Sequence, residues 1–388
     1  MRIGIDCRTI LNPTSGERAG VGHYTYNLVK QVIHQDTHNE YVLYFDYRMH
    51  DVNDFARENV TVKHFPFSQY GKFLSFGYSH MLIAAYLMKE GLDLYHVPAG
   101  NIPLTYPKKV LYTVHDLAIY KNSEWFPSQI LSRHVLTPRS LKAADHLIAV
   151  SKSTKHDIKE LFNIPDKKIS VIYEGADVKK IPLKRKKLET IEKFNLPEMY
   201  FLFIGTLEPR KNLITLIRAY KKFLTSEPSH ANIPLVVAGS KGYKSSLLFE
   251  EVKELGIKKA QFRYFGYVSH NEKIELLRHA RAFVFPTLYE GFGIPVLEAL
   301  SVGTPVISSN TSSIPEIVGS AGVLMDPEDE HALVEAMKSL VHNEQLFQSL
   351  KQKGLAQAKN FSWERSAKET IALYTSITKK NHKPSKKS

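Results

Sequence analysis

The chain has 388 residues, too long for one ordinary domain and suited to two. Hydrophobic residues make up 43% and charged residues 23%, which excludes a disordered or fibrous chain and predicts a globular protein with a true core. Lys and Arg number 52 against 39 Asp and Glu, a formal charge of +13, so the expected partner is anionic: nucleic acid, a membrane surface or a phosphorylated substrate.

In chain order, "RIGID" at 2–6 reads as a short buried strand. The opening "MRIGIDCRTI" carries an early acid at Asp6 and lacks the long apolar run of a signal peptide. Cys7 is the only cysteine, which rules out an intrachain disulfide and zinc sites built on several thiolates, and fits a reducing compartment. A glycine-bearing loop at 12–24, "NPTSGERAGVGHY", leads into the helical pattern "YTYNLVKQVIHQ". Apolar runs of strand length follow: "YVLYF", "DLYHV", "VLYTV", "HLIAV" and "ISVIY". Helical stretches at 79–89 and 130–144 separate several of them, and this alternation predicts a parallel sheet covered on both faces. The most apolar helical run, "MLIAAYLM", is far short of the ~20 residues that cross a bilayer. A cytoplasmic protein is expected, with any membrane contact peripheral at the inner face.

After Asp177 the composition changes. "KKIPLKRKKLETIEKFNLP" is charged and bracketed by Pro182 and Pro197, and reads as an interdomain connection. A second alternating series then begins: "YFLFIGT", "IPLVVAG", "FRYFG", "AFVFPT", "TPVISS" and "GVLMD". Helices near 330–341 and 362–378 close the fold, and the tail "KKNHKPSKKS" is too polar to pack. The expected organisation is a first α/β domain at 1–178, a connection at 179–197, a second α/β domain at 198–360, a terminal helix at 361–378 and a basic, disordered tail at 379–388. Ligands in open α/β sheets bind outside the carboxyl ends of the strands, so motifs just after strands carry the chemistry.

"EGFGIPVLE" at 290–298 is the densest such motif. Gly291 and Gly293 allow close backbone approach, and Pro295 suits a first helical turn, where its missing N–H costs nothing. The loop and helix start offer amide groups at the positive end of a helix dipole, an anion site. Glu290 and Glu298 would repel a phosphate, so they are better used on hydroxyl groups. A nucleoside diphosphate sugar satisfies both demands. Capping plus a surface ion pair is the plainer reading of two glutamates, and a glycosidase-like acid/base pair a third. "GTLEPRKN" places Arg210 and Lys211 just after a strand, where an Arg fork and a Lys charge can reach a pyrophosphate. No Asp-x-Asp sequence occurs, which removes the usual carboxylate clip for a divalent ion, so neither a metal nor another cofactor is expected.

"EGFGIPVLE" and "GTLEPRKN" together resemble retaining glycosyltransferases of family 4, the group 1 glycosyltransferases, which are nucleotide-sugar-dependent enzymes of GT-B architecture. The resemblance spans nearly the whole chain and is most specific in the C-terminal half. It implies two Rossmann-like, doubly wound domains facing a cleft, the first binding the acceptor and the second the sugar nucleotide, with a last helix, "FSWERSAKETIALYTSI", crossing back to the N-terminal domain. It places Glu290 by the donor sugar hydroxyls, Glu298 on the ribose, and Arg210 and Lys211 on the diphosphate. Gly293, Ile294 and Val296 lie where the family's loop and helix start meet the donor. Gly20 and Gly22 would cover the donor phosphates or the acceptor, and His115 in "TVHDLA" would lie near the transferred sugar. Two positions depart from the family: Thr206 stands where many members have arginine, and Glu174-Gly175-Ala176-Asp177 stands where many have Asn-Gly-Val-Asp.

The implied reaction moves a hexose, with mannose from GDP-mannose the preferred donor, to a hydroxyl of a glycan or lipid-linked acceptor in surface polysaccharide or glycolipid synthesis. An anionic membrane surface is the second expected partner, with no specific nucleic acid. The candidate basic segments are 184–187, the tail lysines and 72–89. Three rival readings are a UDP-sugar-dependent transferase, a GT-B sugar-nucleotide epimerase, and a basic nucleic-acid-binding protein without catalysis.

Overall fold

The computed structural model describes residues 1–11, 20–65, 76–103, 105–127, 129, 131–176 and 187–379. Residues 12–19 of the glycine loop, 177–186 of the connection, Lys72 and the tail from 380 lie outside the described residues. The chain divides into two compact units. Unit 1 comprises Met1–Lys121, Phe126–Glu174 and Trp363–Ser388; unit 2 comprises Asn122–Trp125 and Gly175–Ser362.

Unit 1 holds strands β1 (Arg2–Asp6), β2 (Glu40–Phe45), β3 (Val60–His64), β4 (Leu94–Val97), β5 (Val110–Val114), β6 (His146–Ala149) and β7 (Ile169–Val171). Its helices are α1 (Val21–Gln35), α2 (Phe76–Met88), α3 (Ala118–Lys121), α4 (Thr137–Ala143) and α5 (Lys152–Phe162). The strands form one seven-stranded sheet in the order β3-β2-β1-β4-β5-β6-β7, with every pair parallel. The stretches "LYHV" and "HLIA" are buried at every position, as parallel strands covered on both faces must be.

Unit 2 carries α6 (Lys187–Lys193), β8 (Phe201–Ile204), α7 (Leu213–Ser226), β9 (Leu235–Ala238), α8 (Ser246–Glu254), β10 (Phe262–Tyr264) and α9 (His270–His279). It continues with β11 (Ala282–Phe285), α10 (Ile294–Ser301), β12 (Val306–Ser309), α11 (Ile314–Val318), β13 (Gly322–Met325), α12 (Glu330–His342) and α13 (Glu344–Ala358). The sheet order is β10-β9-β8-β11-β12-β13, again all parallel. Strand order reverses between β8 and β11, which makes the carboxyl ends of those two strands the crevice where a doubly wound sheet takes its ligand. Close strand-end packing fixes Gly239: a Cβ there would lie 1.9 Å from the Gly205 carbonyl oxygen, at a backbone φ of +137°.

The stretch expected to be only a connection includes α6, whose Lys193 pairs with Glu272 in the capping box of α9. The last helix, α14 (Trp363–Lys379), belongs to unit 1, as the expected crossover requires. The Trp363 ring packs edge-on to Tyr24 of α1 at 5.6 Å. Gln35 donates to the Glu364 carbonyl at 3.1 Å. Tyr374 shares a 2.7 Å hydrogen bond with the buried His96 of β4. Lys109 Nζ closes the end of α14 by donating to the carbonyls of Ile377 and Thr378 at 2.8 and 3.1 Å, a cation at the negative pole of the helix. Burial, with the charge of His115 behind it, pushes the His96 pKa down to about 3, so this buried ring is neutral.

Candidate active site

The loop after β8 turns through a short helical segment, Pro209–Lys211, and reaches α7 at Asn212, which holds a left-handed φ of 57°. The loop after β11 runs to Gly293, at φ 107°, where α10 begins with Pro295 in its first turn and no side-chain cap. The positive φ favours glycine at 293, and a Cβ there would also press on the Ile314 side chain at 3.0 Å. These two loops leave neighbouring strands, and one carboxylate joins them.

Glu290 is buried and sits between two cations. Its Oε1 accepts from Lys211 Nζ and from Thr287 Oγ1, the latter at 3.0 Å, and its Oε2 lies 3.1 Å from Arg210 Nη1. Arg210 also donates to the Tyr289 carbonyl at 2.9 Å and to Glu208 Oε1 at 2.8 Å. Burial alone would raise the Glu290 pKa, but Arg210 and Lys211 outweigh it and hold the carboxyl below its ordinary range. Lys211 is lowered, by burial first and by its neighbour Arg210, against the pull of Glu290. The cluster of Arg210, Lys211, Glu208 and Glu290 carries no net formal charge, and it lies on the loops that follow β8 and β11.

A serine-rich segment at the end of β12 and just beyond it supports the same loop. Ser308 donates to the Phe285 carbonyl at 2.5 Å and Ser309 to the Thr287 carbonyl at 2.6 Å. Ser312 Oγ accepts from the Glu290 amide at 2.9 Å, and Ser313 donates to the carbonyls of Glu290 and Phe292 at 3.0 and 2.7 Å. Each bond removes rotational freedom from the loop that carries Glu290. The other predicted residues of this motif, Gly293, Ile294, Val296 and Glu298, follow on the start and body of α10. Glu298 is buried and accepts from Lys273 of α9, a partner the sequence reading did not single out. A cavity of about 260 Å³ in unit 2 lies along the other flank of the Arg210 loop; it is lined in part by Leu207, Glu208, Asn212, Leu213 and Lys244, without Glu290 or Lys211.

In unit 1, His115 follows β5 and is held on both ring nitrogens. Nε2 lies 2.8 Å from the Pro98 carbonyl and Nδ1 lies 3.3 Å from Glu174 Oε1. The Tyr24 ring meets it edge-on at 4.5 Å. Burial, the largest influence, disfavours the charged ring, but Glu174, the Pro98 carbonyl and Asp116 outweigh it and raise the pKa above its ordinary value. Two acceptors facing two ring nitrogens suit an imidazolium, a donor of positive charge rather than a general base. Glu174 is the first residue of the turn that departs from the family pattern, and its side chain is spent on His115. Gly20 precedes α1 at φ 58°, and Gly22 is buried in the first turn of that helix. Unit 2 thus brings Glu290, Arg210 and Lys211 into one cluster, while His115, Gly20 and Gly22 belong to unit 1.

Two parallel sheets in Rossmann order, a cation–carboxylate cluster at the switch point of the second, and a terminal helix returned to the first define a two-domain glycosyltransferase of the GT-B class. Sequence comparison agrees. The family model described as "Glycosyl transferases group 1" matches residues 184–357, and that described as "Glycosyltransferase Family 4" matches residues 18–180. The chain is 34% identical over 294 residues to the O-antigen chain mannosyltransferase B of Escherichia coli, covering 75% of this chain and 76% of that protein. It is 31% identical over 264 residues to the O-antigen chain mannosyltransferase RfbU of Salmonella typhimurium, covering 68% and 69%. Among solved structures, sucrose-phosphate synthase from Thermosynechococcus elongatus superposes with a TM-score of 0.74 at 19% identity over 97% of this chain and 99% of that one. WaaG, a glycosyltransferase involved in lipopolysaccharide biosynthesis, does so with a TM-score of 0.72 at 14% identity over 96% and 99%. This chain belongs to the family 4, group 1 glycosyltransferases, and the non-enzymatic nucleic-acid reading is set aside.

The Glu290 cluster makes a stability prediction. Glu290→Ala leaves Lys211 buried without a counter-charge and is expected to cost about 3–5 kcal/mol. Adding Lys211→Met removes the orphaned charge, so the double variant is expected to lose less than the sum of the single losses, by about 0.5–3 kcal/mol. Chemical unfolding of the three variants checks this; strict additivity would mean that the ion pair does not couple the two loops.

Proposed function

We propose that this chain is a mannosyltransferase that moves mannose from GDP-mannose, with retention of anomeric configuration, to a hydroxyl of a growing surface polysaccharide or lipid-linked glycan. The observation that carries the reading is the Arg210–Lys211–Glu290 cluster at the β8/β11 switch point, in a chain whose relatives over about three quarters of its length include proteins named as O-antigen chain mannosyltransferases. A donor diphosphate offers Arg210 and Lys211 more negative charge than one carboxylate can. As it takes the cations, Glu290 is released from them and accepts hydrogen bonds from the sugar hydroxyls. Glu298 then serves the ribose, and Gly293, Ile294 and Val296 line the donor at the helix start. Negative charge grows on the diphosphate as the sugar bond breaks, and fixed cations stabilise that charge more than they stabilise the bound donor. His115 as an imidazolium adds positive charge toward the sugar, and Gly20 and Gly22 cover the donor or acceptor. The cations supply the charge that a divalent metal supplies elsewhere, so catalysis proceeds without a metal on the diphosphate.

A donor screen tests this. Purified enzyme with GDP-mannose, UDP-glucose and other sugar nucleotides, in excess chelator, is expected to release nucleotide fastest from GDP-mannose. Lys211→Ala is expected to lower kcat by roughly 10²–10³-fold, the usual effect of removing one preorganised charge donor. Preference for a UDP-sugar would replace the donor assignment, and loss of activity in chelator that magnesium or manganese restores would end the metal-free mechanism.

The surplus of +13 supports a second element, reversible attachment to an anionic membrane surface through basic segments. Among the described residues no helix is long and apolar enough to cross a membrane. In flotation, the full chain is expected to rise with anionic vesicles and little with neutral ones, most strongly at low salt and less as screening shortens the attraction to about 8 Å at physiological salt. Absence of co-flotation at low salt would leave the charge to an anionic acceptor.

A further inference from the structure

Away from the cluster at the switch point, the far ends of two helices of unit 2 meet. Helix α7 ends at Ser226, Glu227 follows in extended conformation, and a short helical segment, Pro228–Asn232, carries His230. Helix α12 ends at His342. Among the described residues, Glu227, His230 and His342 are a group whose side-chain donor atoms converge within coordination range of one another. His230 Nε2 lies 2.9 Å from His342 Nε2, His342 Nε2 lies 3.3 Å from Glu227 Oε2, and His230 Nε2 lies 3.5 Å from the same oxygen.

We propose that Glu227, His230 and His342 bind a borderline divalent cation of the zinc class, which fastens the end of α7 to the end of α12. A zinc ion with ligands at about 2.0–2.1 Å in tetrahedral array holds its donor atoms about 3.3 Å apart. The three observed separations bracket that value, so the triangle is one face of a tetrahedron needing only a small opening between the imidazoles.

The Nδ1 of His230 lies 3.1 Å from the Phe223 carbonyl oxygen, which can only accept, so the ring donates from Nδ1 there and the neutral ring presents its Nε2 lone pair to the triangle. Ser226 Oγ, also 3.1 Å from Nδ1, donates its own proton to the same carbonyl and so accepts from the ring. The ring is fully buried and stacked on Phe223 at 4.1 Å. A ligating histidine held through its second nitrogen by a backbone carbonyl is the arrangement that orients imidazole on a metal.

Without a cation, a proton on His342 Nε2 is shared between His230 Nε2 at 2.9 Å and Glu227 Oε2 at 3.3 Å. A cation serves all three at once. The ends of α7 and α12, each with its carbonyl pole here, add negative potential. His342 and Glu227 are 48% and 45% exposed, so solvent reaches the fourth position. Two imidazole donors favour Zn²⁺ over Mg²⁺ or Ca²⁺.

The test uses untagged, full-length protein stripped by chelator and dialysed. Calorimetric titration with zinc chloride is expected to give one site of higher affinity than any other zinc binding by the chain, and magnesium chloride none. At a hundredfold excess over Kd, Zn²⁺ is expected to raise the unfolding midpoint of unit 2 by roughly 5–10 °C. His342→Ala changes a half-exposed side chain and keeps the fold. It is expected to weaken that site at least about a hundredfold, beyond the effect of losing an outer-shell partner, and to abolish the thermal shift. Glu227→Gln is expected to weaken it as well, and Co²⁺ in place of Zn²⁺ to give the visible absorption of a four-coordinate site in the parent alone. Absence of a zinc site in the parent, or an equal site in His342→Ala, overturns the proposal.

Discussion

The second unit depends on one buried carboxylate. Glu290 joins the loop after β8 to the loop after β11 through Lys211 and Arg210, at the place where strand order reverses. Its charge is tolerable in the interior because two cations face it, and Lys211 in turn depends on it, while Arg210 is shared with Glu208. The serines after β12 then fix the backbone of the same loop. A loop so held is costly to build and strongly preorganised, which suits a site that must stabilise charge appearing during a reaction.

The first unit is organised around a different polar pair. His115 and Glu174 close the carboxyl end of its sheet, and the ring of Tyr24 presses on the histidine. Tyr24 also touches Trp363, so the returning helix α14 packs against the residues that surround His115. Removal of that helix would expose apolar side chains of α1 and leave His96 without its tyrosine partner. The terminal helix is therefore part of the first unit's core and not an appendage.

Much of this was legible in the sequence because buried parallel strands are continuous apolar runs. "FLFI", "LVVA" and "AFVF" are β8, β9 and β11, as their composition predicts. Strand β3, "VTVKH", is not legible in this way: it lies at the sheet edge, half-exposed, with a polar alternation that reads like a loop. Helix α6 was hidden by the lysines of the connection. Arg210, Lys211 and Glu290 were visible through glycine, proline and charge placed just after strands. The partners that hold Glu298, His115 and Glu290 are not, because Lys273, Glu174 and Ser312 meet them across 25, 59 and 22 positions with no local pattern to announce them. The same holds for His230 and His342, 112 positions apart, which only the packing of α7 on α12 brings together.

We propose the end of β8 as a diphosphate site whose cations Glu290 holds ready. A crystal structure of the enzyme with GDP bound tests it most directly. Phosphate oxygens are expected within hydrogen-bond distance of Arg210 or Lys211, with the contact from that residue to Glu290 lengthened or lost. GDP phosphates seated on other groups, with both cations still paired to Glu290, would contradict it.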